Sequence, residues 1–305
     1  MSLMTEQALD ADSLHLQPLP EYAAHGDKET RGHVLVIGGG PEMPGSAWLA
    51  AMAALRAGAG KLTVATGASC APAAACAWPE ARVIGLPECG DGGLDVIGLQ
   101  RLEPVIARAD CVLVGPGMQD EERTRHFVAA LLPSLASKQT ILDARAMDAL
   151  SAPGVVPLAG ATLLTPHAGE LAHLTGWSKE DILARPRALA RMAAEAWRAM
   201  VLLKGPISYL ALPDGRTWCH NGHQIGLATS GSGDVLAGVV AGLAAGGLAL
   251  EQAAAWAVKL HALAGARLSK RMGAVGYLAS EIAAEIPPAL HDLQQTQTCC
   301  GCGQE

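Results

Sequence analysis

Short apolar runs recur along the chain, and each ends in glycine or a polar residue just before a helical pattern begins. Clear examples are residues 33–39, 111–117 and 200–205. A continuous apolar run of this length is typical of a strand buried on both faces of a sheet, and regular alternation with helices favours parallel pairing. We therefore predict an α/β fold: a single three-layer domain with a mainly parallel central sheet and helices on both faces.

The same pattern predicts the remaining elements and the domain limits. Further strands are expected at 62–66, 140–143 and 162–164, and a β-hairpin with an Asp-Gly turn at 207–219. Helices are expected at 47–57, 121–136, 188–199, 234–244, 251–269 and 278–286. No Pro/Ser-rich linker divides the sequence. We expect an N-terminal extension at 1–24, one domain at 25–290 and a flexible tail at 291–305.

The tail holds three of the eight cysteines, Cys299, Cys300 and Cys302. The C-x-x-C spacing of Cys299 and Cys302 could hold a metal or form a redox pair, but no second pair of ligands at zinc spacing lies nearby in the sequence. Reduced thiols on a loose tail are the simpler interpretation.

Composition restricts the classes of partner. Half of the residues are hydrophobic but only 3% are aromatic, so the core must be built from Ala, Val, Leu and Ile. The 22 basic and 29 acidic residues give a formal net charge of −7, which argues against a nucleic-acid surface. The N-terminus lacks a signal-peptide pattern, and no uninterrupted apolar run reaches membrane-spanning length. We expect a cytoplasmic protein that binds neither nucleic acid nor membrane.

Residues with functional chemistry come directly after five of the apolar strands. They are the glycines at 38–40 and 115–117, Asp143, His167 and Lys204. In an open parallel sheet, ligands bind beyond the carboxyl ends of the strands. We therefore predict that these residues meet at one edge of the sheet and form a single site there.

The segment 221–236, NGHQIGLATSGSGDVL, places Asp234 directly after a loop of small residues and at the start of an apolar helix. The unpaired N–H groups of the first helical turn point back into such a loop and favour an anion. A carboxylate inside an anion site suggests a base that deprotonates a hydroxyl while the amides hold phosphoryl oxygens. The alternative is that Asp234 only caps the helix.

Three other motifs each leave two interpretations open. GGGPEMPGS at 38–46 lacks the lysine of a G-x4-G-K-[ST] loop and the last glycine of G-x-G-x-x-G, so a tight turn competes with a ligand loop. His167 in TPHAGE is either a ligand contact or a structural histidine. Lys204 needs an anionic partner, which is either a nucleotide phosphate or a neighbouring carboxylate. We expect Arg145 and Asp148 to form a solvated helix start.

Taken together, seven blocks resemble the ADP-dependent NAD(P)H-hydrate dehydratases, a repair-enzyme branch of the ribokinase-like fold. The blocks are HVLVIGG, AWLAAMAALRAGAG, VLVGPGM, ILDARAM, LLTPHAGE, LLKGP and GLATSGSGDVLAG. The resemblance covers about residues 25–286. TPHAGE and GLATSGSGDVLAG discriminate best, because GxGD alone occurs throughout the ribokinase-like kinases.

The resemblance implies a reaction. The substrate would be NADH or NADPH hydrated on the nicotinamide ring. Phosphate from ADP, with ATP as the alternative donor, would be transferred to the ring hydroxyl and then eliminated, giving the reduced cofactor, AMP and phosphate. Mg²⁺ would neutralise the phosphates, since phosphoryl transfer generally requires this.

The resemblance also implies residue roles and partners. Asp234 would be the catalytic base. Nucleotide-binding residues would be Lys204, Gly205, Pro206, Ile207, Ser208, Gly231, Ser232 and Gly233, while the hydrated dinucleotide would meet Gly45, Ser46, Gly115, Gly117, His167 and Asp234. The assembly would be a homo-oligomer, a tetramer in the family. An epimerase would be a separate protein, because 305 residues leave no room for the fused epimerase domain that the family often carries.

Several blocks depart from the family pattern. TPHAGE stands for TPHPGE and SGSGD for GGTGD, while LDARAM stands for LDADAL, so that Arg145 replaces the second acid and Asp143 survives. Ser46 replaces an alanine, and GPGMQ replaces GPGLG. The proposed base is unaffected.

Two other functions compete with the dehydratase. A ribokinase-like kinase of a small vitamin alcohol, such as a thiazole or pyridoxal, would share Asp234 and the anion loop but would use ATP and stop after phosphorylation. TPHAGE argues against it. A nucleotide-sensing or scaffolding protein with this fold would have little need for a buried base.

Overall fold

The structure, a computed structural model, describes residues 7–8, 18–19, 27–90, 92–222 and 224–301. Ten strands in this part of the chain form one sheet. They are β1 (Gln7–Ala8), β2 (His33–Ile37), β3 (Lys61–Gly67), β4 (Arg82–Leu86), β5 (Cys111–Val114), β6 (Gln139–Leu142), β7 (Thr162–Leu164), β8 (Met200–Leu203), β9 (Ser208–Ala211) and β10 (Thr217–His220). The spatial order is β1-β10-β9-β8-β7-β6-β5-β2-β3-β4. Within the described strands, β9 alone runs antiparallel to its neighbours.

Ten α-helices accompany the sheet in the same described ranges. They are α1 (Pro44–Arg56), α2 (Ala71–Ala77), α3 (Leu99–Ile106), α4 (Glu121–Leu131), α5 (Ala168–Thr175), α6 (Lys179–Ala184), α7 (Pro186–Trp197), α8 (Ser232–Ala245), α9 (Leu250–Met272) and α10 (Ala279–Gly301). Short 3₁₀ segments lie at Val96–Gly98, Leu132–Leu135, Ala144–Ser151 and Ile225–Leu227.

The core is divided into two layers by the sheet. Helices α1, α8, α9 and α10 pack on one face, largely through alanine, valine and leucine. Helices α3, α4 and α7 pack on the other face, where the chain's single phenylalanine, Phe127, is fully buried. This arrangement confirms the predicted three-layer α/β fold.

Helices α1 and α8 approach each other closely through their backbones. A Cβ atom on Gly238 would lie 2.1 Å from the carbonyl oxygen of Ala50, and one on Gly242 would lie 2.3 Å from that of Ala54. No side chain fits at such distances, so glycine is required at both positions. The two helices therefore hold a fixed position relative to each other.

The first strand of the central region, β2, lies at the switch point of the sheet. It pairs with β3 on one side and with β5 on the other, both in parallel. The chain winds outward in opposite directions from this point, which leaves a crevice beyond the carboxyl ends of β2 and β5. The loops at 38–43 and 115–120 border that crevice.

Most predicted elements are present, with shifted ends. The hairpin of β9 and β10 and the strand at 162–164 are confirmed. The helix predicted at 121–136 ends at Leu131 and continues as a 3₁₀ turn that contains Pro133, because proline cannot donate to the helical ladder. Strand β4 and helices α2, α3 and α6 were not predicted, because their short apolar patterns are weak.

The two ends of the chain differ from simple extensions. Within 1–24, β1 pairs with β10, and Leu19 is buried against the core. Helix α10 continues past the predicted end at residue 286 to Gly301, so a helical backbone replaces part of the tail predicted at 291–305. The thiols of Cys299, Cys300 and Cys302 lie outside the described residues, and the domain limits stay predictions. None of the described helices is long and apolar enough to cross a bilayer.

Candidate functional site

Asp234 lies in the first turn of α8, directly after the small-residue loop. The helix begins at Ser232, two residues earlier than predicted, and its N-cap is Gly231 with a left-handed φ of +85°. The turn closes through Ser232 N–H, which donates to the Thr229 carbonyl at 3.2 Å. Asp234 is therefore not the N-cap, and the capping interpretation is wrong. The carboxylate of Asp234 and the unpaired first-turn N–H groups therefore lie at the same end of the helix.

The environment of Asp234 adjusts its acidity. Burial, followed by the negative charge of Asp143, raises the pKa of Asp234 to about 7. A hydrogen bond from Ser46 and the positive charge of Lys204 oppose that rise. A carboxyl group with a pKa near neutrality can accept a proton strongly while still being deprotonated in part, which is what a general base requires.

Lys204 comes directly after β8 and lies among carboxylates. Its Nζ is 3.1 Å from Asp143 Oδ1 and 3.8 Å from Glu170 Oε2. Burial alone would lower the pKa of Lys204, but the Asp143 and Glu170 charges outweigh it and raise that pKa. The structure therefore gives Lys204 a carboxylate partner, and contact with a nucleotide phosphate stays a prediction.

Asp143 is held from a second side. Its side chain is almost fully buried, and the hydroxyl of the buried Thr165 donates to the same oxygen that faces Lys204. One oxygen of the buried carboxylate therefore meets two donors, the Thr165 hydroxyl and the Lys204 ammonium. The edge of the sheet thus brings together residues from β6, β7 and β8, as the strand pattern predicted.

His167 is the N-cap of α5. Its Nδ1 accepts from the N–H groups of Gly169 (2.9 Å) and Glu170 (3.1 Å), and Glu170 Oε2 accepts in turn from the His167 N–H at 2.7 Å. This capping box orients the ring. His167 therefore has a structural role through Nδ1, which caps the helix. Its ring also lines a cavity beside Lys204.

That cavity, of about 500 Å³, opens beside the carboxylate cluster. The segment after β8, the start of α8 and the middle of α9 line it. Its lining includes Lys204, Gly205, Pro206, Ser208, Ser232 and Gly233 of the predicted nucleotide-binding residues, with Leu227, Leu236 and Val258 as apolar wall. Ile207 and Gly231 are not among the described lining residues, and the Ile207 side chain is exposed. The volume and the mixed lining are typical of a small-molecule site.

His261 is a site residue that the sequence did not indicate. It lies on α9, and its Nε2 is 3.1 Å from both the hydroxyl and the carbonyl oxygen of Ser232. Burial lowers the pKa of His261 to about 4, with the Lys204 charge acting in the same direction. The ring is therefore neutral, and Nε2–H donates to the carbonyl that starts α8. A polar residue within an apolar helical pattern was the available signal.

Four of the predicted dinucleotide contacts lie at the switch point instead of the cavity, namely Gly45, Ser46, Gly115 and Gly117, whereas His167 lines the cavity. Gly115 has a φ of +125°, and a Cβ there would lie 1.8 Å from the Asp143 carbonyl oxygen. Gly117 has a φ of +71°, and its Cβ would lie 2.3 Å from the Met43 carbonyl oxygen. Both glycines thus permit close contact between loops. Gly45 has open space around it, and Ser46 reaches Asp234.

The expectation of a solvated helix start is met by Arg145, whose side chain is exposed, but is wrong for Asp148. The segment Ala144–Ser151 is a 3₁₀ helix, and Asp148 is buried with Arg145 Nη1 at 3.4 Å. Burial raises the pKa of Asp148, although Arg145 and His173 oppose the rise. Helices α4 and α5 cover the segment, which the sequence could not show. Glu121, Asp148 and His173 lie close enough together to hold a cation, but Arg145 is already paired with both carboxylates.

Solved structures share this architecture. An ADP/ATP-dependent NAD(P)H-hydrate dehydratase from Bacillus subtilis, co-crystallised with ATP and Mg²⁺, aligns with a TM-score of 0.79 and 27% identity. The alignment covers 94% of this chain and 98% of that chain. The protein is therefore of the ribokinase-like class, as predicted.

Sequence comparison defines the branch within that class. The family model of NAD(P)H-hydrate dehydratase matches residues 34–288. An ADP-dependent (S)-NAD(P)H-hydrate dehydratase from Xanthomonas campestris pv. campestris is 46% identical over 94% of this chain and 97% of its own length. A bifunctional NAD(P)H-hydrate repair enzyme from Moorella thermoacetica is 36% identical over 91% of this chain, which spans 52% of that relative. The chain belongs to the NAD(P)H-hydrate dehydratase family.

Proposed function

We propose that this enzyme dehydrates hydrated NADH and NADPH at the expense of ADP. The proton of the ring hydroxyl passes to Asp234, and the hydroxyl oxygen attacks the β-phosphorus of ADP while the bond to AMP breaks. The phosphate ester then leaves as inorganic phosphate, pushed by the ring nitrogen lone pair, and loss of a proton from the neighbouring carbon restores the reduced ring. The observation that carries this proposal is a buried acid, with a pKa of about 7, in the first turn of α8.

Asp234 performs the first step because of its surroundings. A carboxylate at an anion-binding helix start would repel a phosphoryl group if it stayed ionised, but the proton taken from the hydroxyl neutralises it. The amides of the first turn of α8 then face the transferring group without a competing negative charge. The Ser46 hydrogen bond orients the carboxylate before the substrate arrives.

The cavity beside Lys204 is the proposed nucleotide site. Its apolar wall suits the adenine ring of the nucleotide, while Lys204 and the start of α8 lie at the end where the phosphates would bind. Lys204 is balanced by Asp143 and Glu170, so the phosphates meet a cation that is already paired. ADP is the proposed donor, with ATP as the alternative.

Mg²⁺ fits the oxygen donors near this end of the cavity. The ion usually binds one or two carboxylates, phosphate oxygens and water. Lys204 contacts Asp143 through Oδ1 and Glu170 through Oε2, so the other oxygens of these two carboxylates would hold the ion. When bound, Mg²⁺ neutralises phosphate charge, while the protein residues orient the reactants and take the proton.

A coupled assay tests the proposal. Hydrated NADH is mixed with enzyme and ADP, and the absorbance of the reduced ring is followed together with release of AMP and phosphate. We expect the absorbance to recover with the wild-type enzyme. Asp234→Asn should lower the turnover rate by roughly three orders of magnitude or more while nucleotide binding persists. Recovery in the variant at near-normal rate would reject Asp234 as the base. ATP-dependent phosphorylation of a vitamin alcohol without recovery of the ring would instead indicate a kinase.

Three broader features belong to the same proposal. The assembly is a homo-oligomer, a tetramer by family resemblance, and exposed apolar side chains such as Val275 and Leu278 in the α9–α10 loop are available for subunit contact. An epimerase supplies the reactive epimer, and the enzyme works in the cytoplasm. Light scattering would measure the oligomeric state, and a monomer at micromolar concentration would contradict the first feature.

A further inference from the structure

The two loops at the switch point are joined by a reciprocal pair of side-chain contacts. The amide Nε2 of Gln119 donates to Glu42 Oε2 at 2.8 Å, and the main-chain N–H of Glu42 donates to Gln119 Oε1 at 3.2 Å. One side chain therefore binds both the carboxylate and the backbone of a residue 77 positions away. We call this pair the Gln119–Glu42 latch.

The Gln119 side of the latch is the anchored one. The hydroxyl of Thr124, which is buried at the start of α4, donates to the Gln119 carbonyl at 2.5 Å. The other side is the turn at 40–43, where Glu42 and Met43 are exposed. A Cβ on Gly40 would lie 2.6 Å from Gln119 Oε1, so the turn is seated directly against the amide. The fixed loop thus determines where the exposed turn lies.

The latched turn leads directly into the catalytic neighbourhood. It runs into the first residues of α1, where Gly45 is followed by Ser46, and Ser46 bonds to Asp234. A contact that fixes the position of the turn before Ser46 affects the binding of any ligand in the adjacent crevice.

We propose that Gln119 is a positioning residue for the hydrated dinucleotide, holding the 40–46 turn in the conformation that meets the substrate beside Asp234. This inference rests on the proposed function. The nucleotide cavity is lined from the other side, by residues after β8 and on α8 and α9. The latch should therefore affect binding of the hydrate and leave binding of ADP unchanged.

The experiment exchanges the two partners. Gln119→Glu places a second carboxylate opposite Glu42 but keeps an acceptor for the Glu42 N–H, while Glu42→Gln with Gln119→Glu rebuilds the donor–acceptor pair in reverse. We expect Gln119→Glu to raise KM for the hydrate roughly tenfold, with KM for ADP and kcat within about threefold of wild type, and the double variant to restore KM. Gln100→Glu, the same change at an exposed position of α3, is the matched control and should have no effect.

A second readout does not need catalysis. Gln119→Leu removes the acceptor of the Glu42 amide, so hydrogen exchange of that amide in the ligand-free enzyme should quicken. Unchanged exchange, a normal hydrate KM in Gln119→Glu, a fall in kcat alone, or no rescue in the double variant would each overturn the inference. If the wild type converts no hydrate, the proposed function fails, and the exchange result still decides whether Gln119 holds the turn.

Discussion

The Nζ atom of Lys204 stands 3.4 Å from the place where a Cβ atom of Gly233 would be. The side chain of the lysine that follows β8 thus lies in contact with the backbone of the first turn of α8. The ammonium and the helix amides favour anions at the same point. The side chain also connects Asp143 to Asp234 electrostatically, so one cation influences both the phosphate site and the base.

The rate should depend on pH through Asp234. A base works only when deprotonated, and burial raises the pKa of this carboxyl to about 7. We expect kcat/KM to rise tenfold per pH unit at acid pH and to level off above about pH 8. A profile measured at saturating ADP checks this. A rate that is flat from about pH 5 upward would contradict a raised pKa.

The same group should make stability depend on pH. Its folded pKa lies above the unfolded value of an aspartate, so the folded state binds the extra proton and the free energy of unfolding falls as pH rises from about 4 to 7. Asp234→Asn removes the ionisable group and should flatten this part of the curve. Denaturation at several pH values measures the effect, and an unchanged slope in the variant would assign it elsewhere.

Replacement of Lys204 should disturb two carboxylates. Lys204→Met leaves the buried Asp143 without its ion pair, which costs about 3 kcal/mol of stability. It also removes a charge that lowers the pKa of Asp234, so the rising limb of the pH–rate profile should move to higher pH. Lys270→Met, at an exposed position of α9, is the control. An unshifted limb would show that Lys204 does not act on the base.

Two glycines should respond differently to alanine. Gly115→Ala forces a side chain against the Asp143 carbonyl at a φ of +125°, so we expect poor folding. Gly45→Ala meets open space at the start of α1, and stability should be kept or slightly raised. A rise in KM for the hydrate in a stable Gly45→Ala would support its contact with substrate. A normal KM would remove Gly45 from the site.

Loss of the His261 contact should loosen the nucleotide side of the site. His261→Leu removes the side-chain donor to the Ser232 carbonyl, at a cost of about 0.5–1.5 kcal/mol in stability. We expect weaker ADP binding, and His261→Gln to recover part of it because the amide can donate. Calorimetric titration with ADP measures this. Equal affinity in His261→Leu and wild type would limit the histidine to packing.

The edge of the sheet that holds the site could be predicted because parallel strands all end on the same side. Asp143, His167 and Lys204 come just after such strands and meet there for that reason. The pairing of Lys204 with Asp143 was not predictable, since it depends on how neighbouring strands are ordered. His261 and Asp148 were missed for a related reason. Each is buried by helices distant in sequence, and a local pattern does not show which helix covers which residue.

The two glycines through which α8 packs on α1, Gly238 and Gly242, fix a distance that the chemistry depends on. Ser46 is carried by α1 and Asp234 by α8, so their separation is fixed by carbonyl-to-glycine contact one and two turns away. The loops that contact the substrate can therefore change during evolution while the distance between the Ser46 hydroxyl and the Asp234 carboxylate stays the same. A single methyl group at Gly238 would shift that spacing from deep within the protein, where no ligand ever comes.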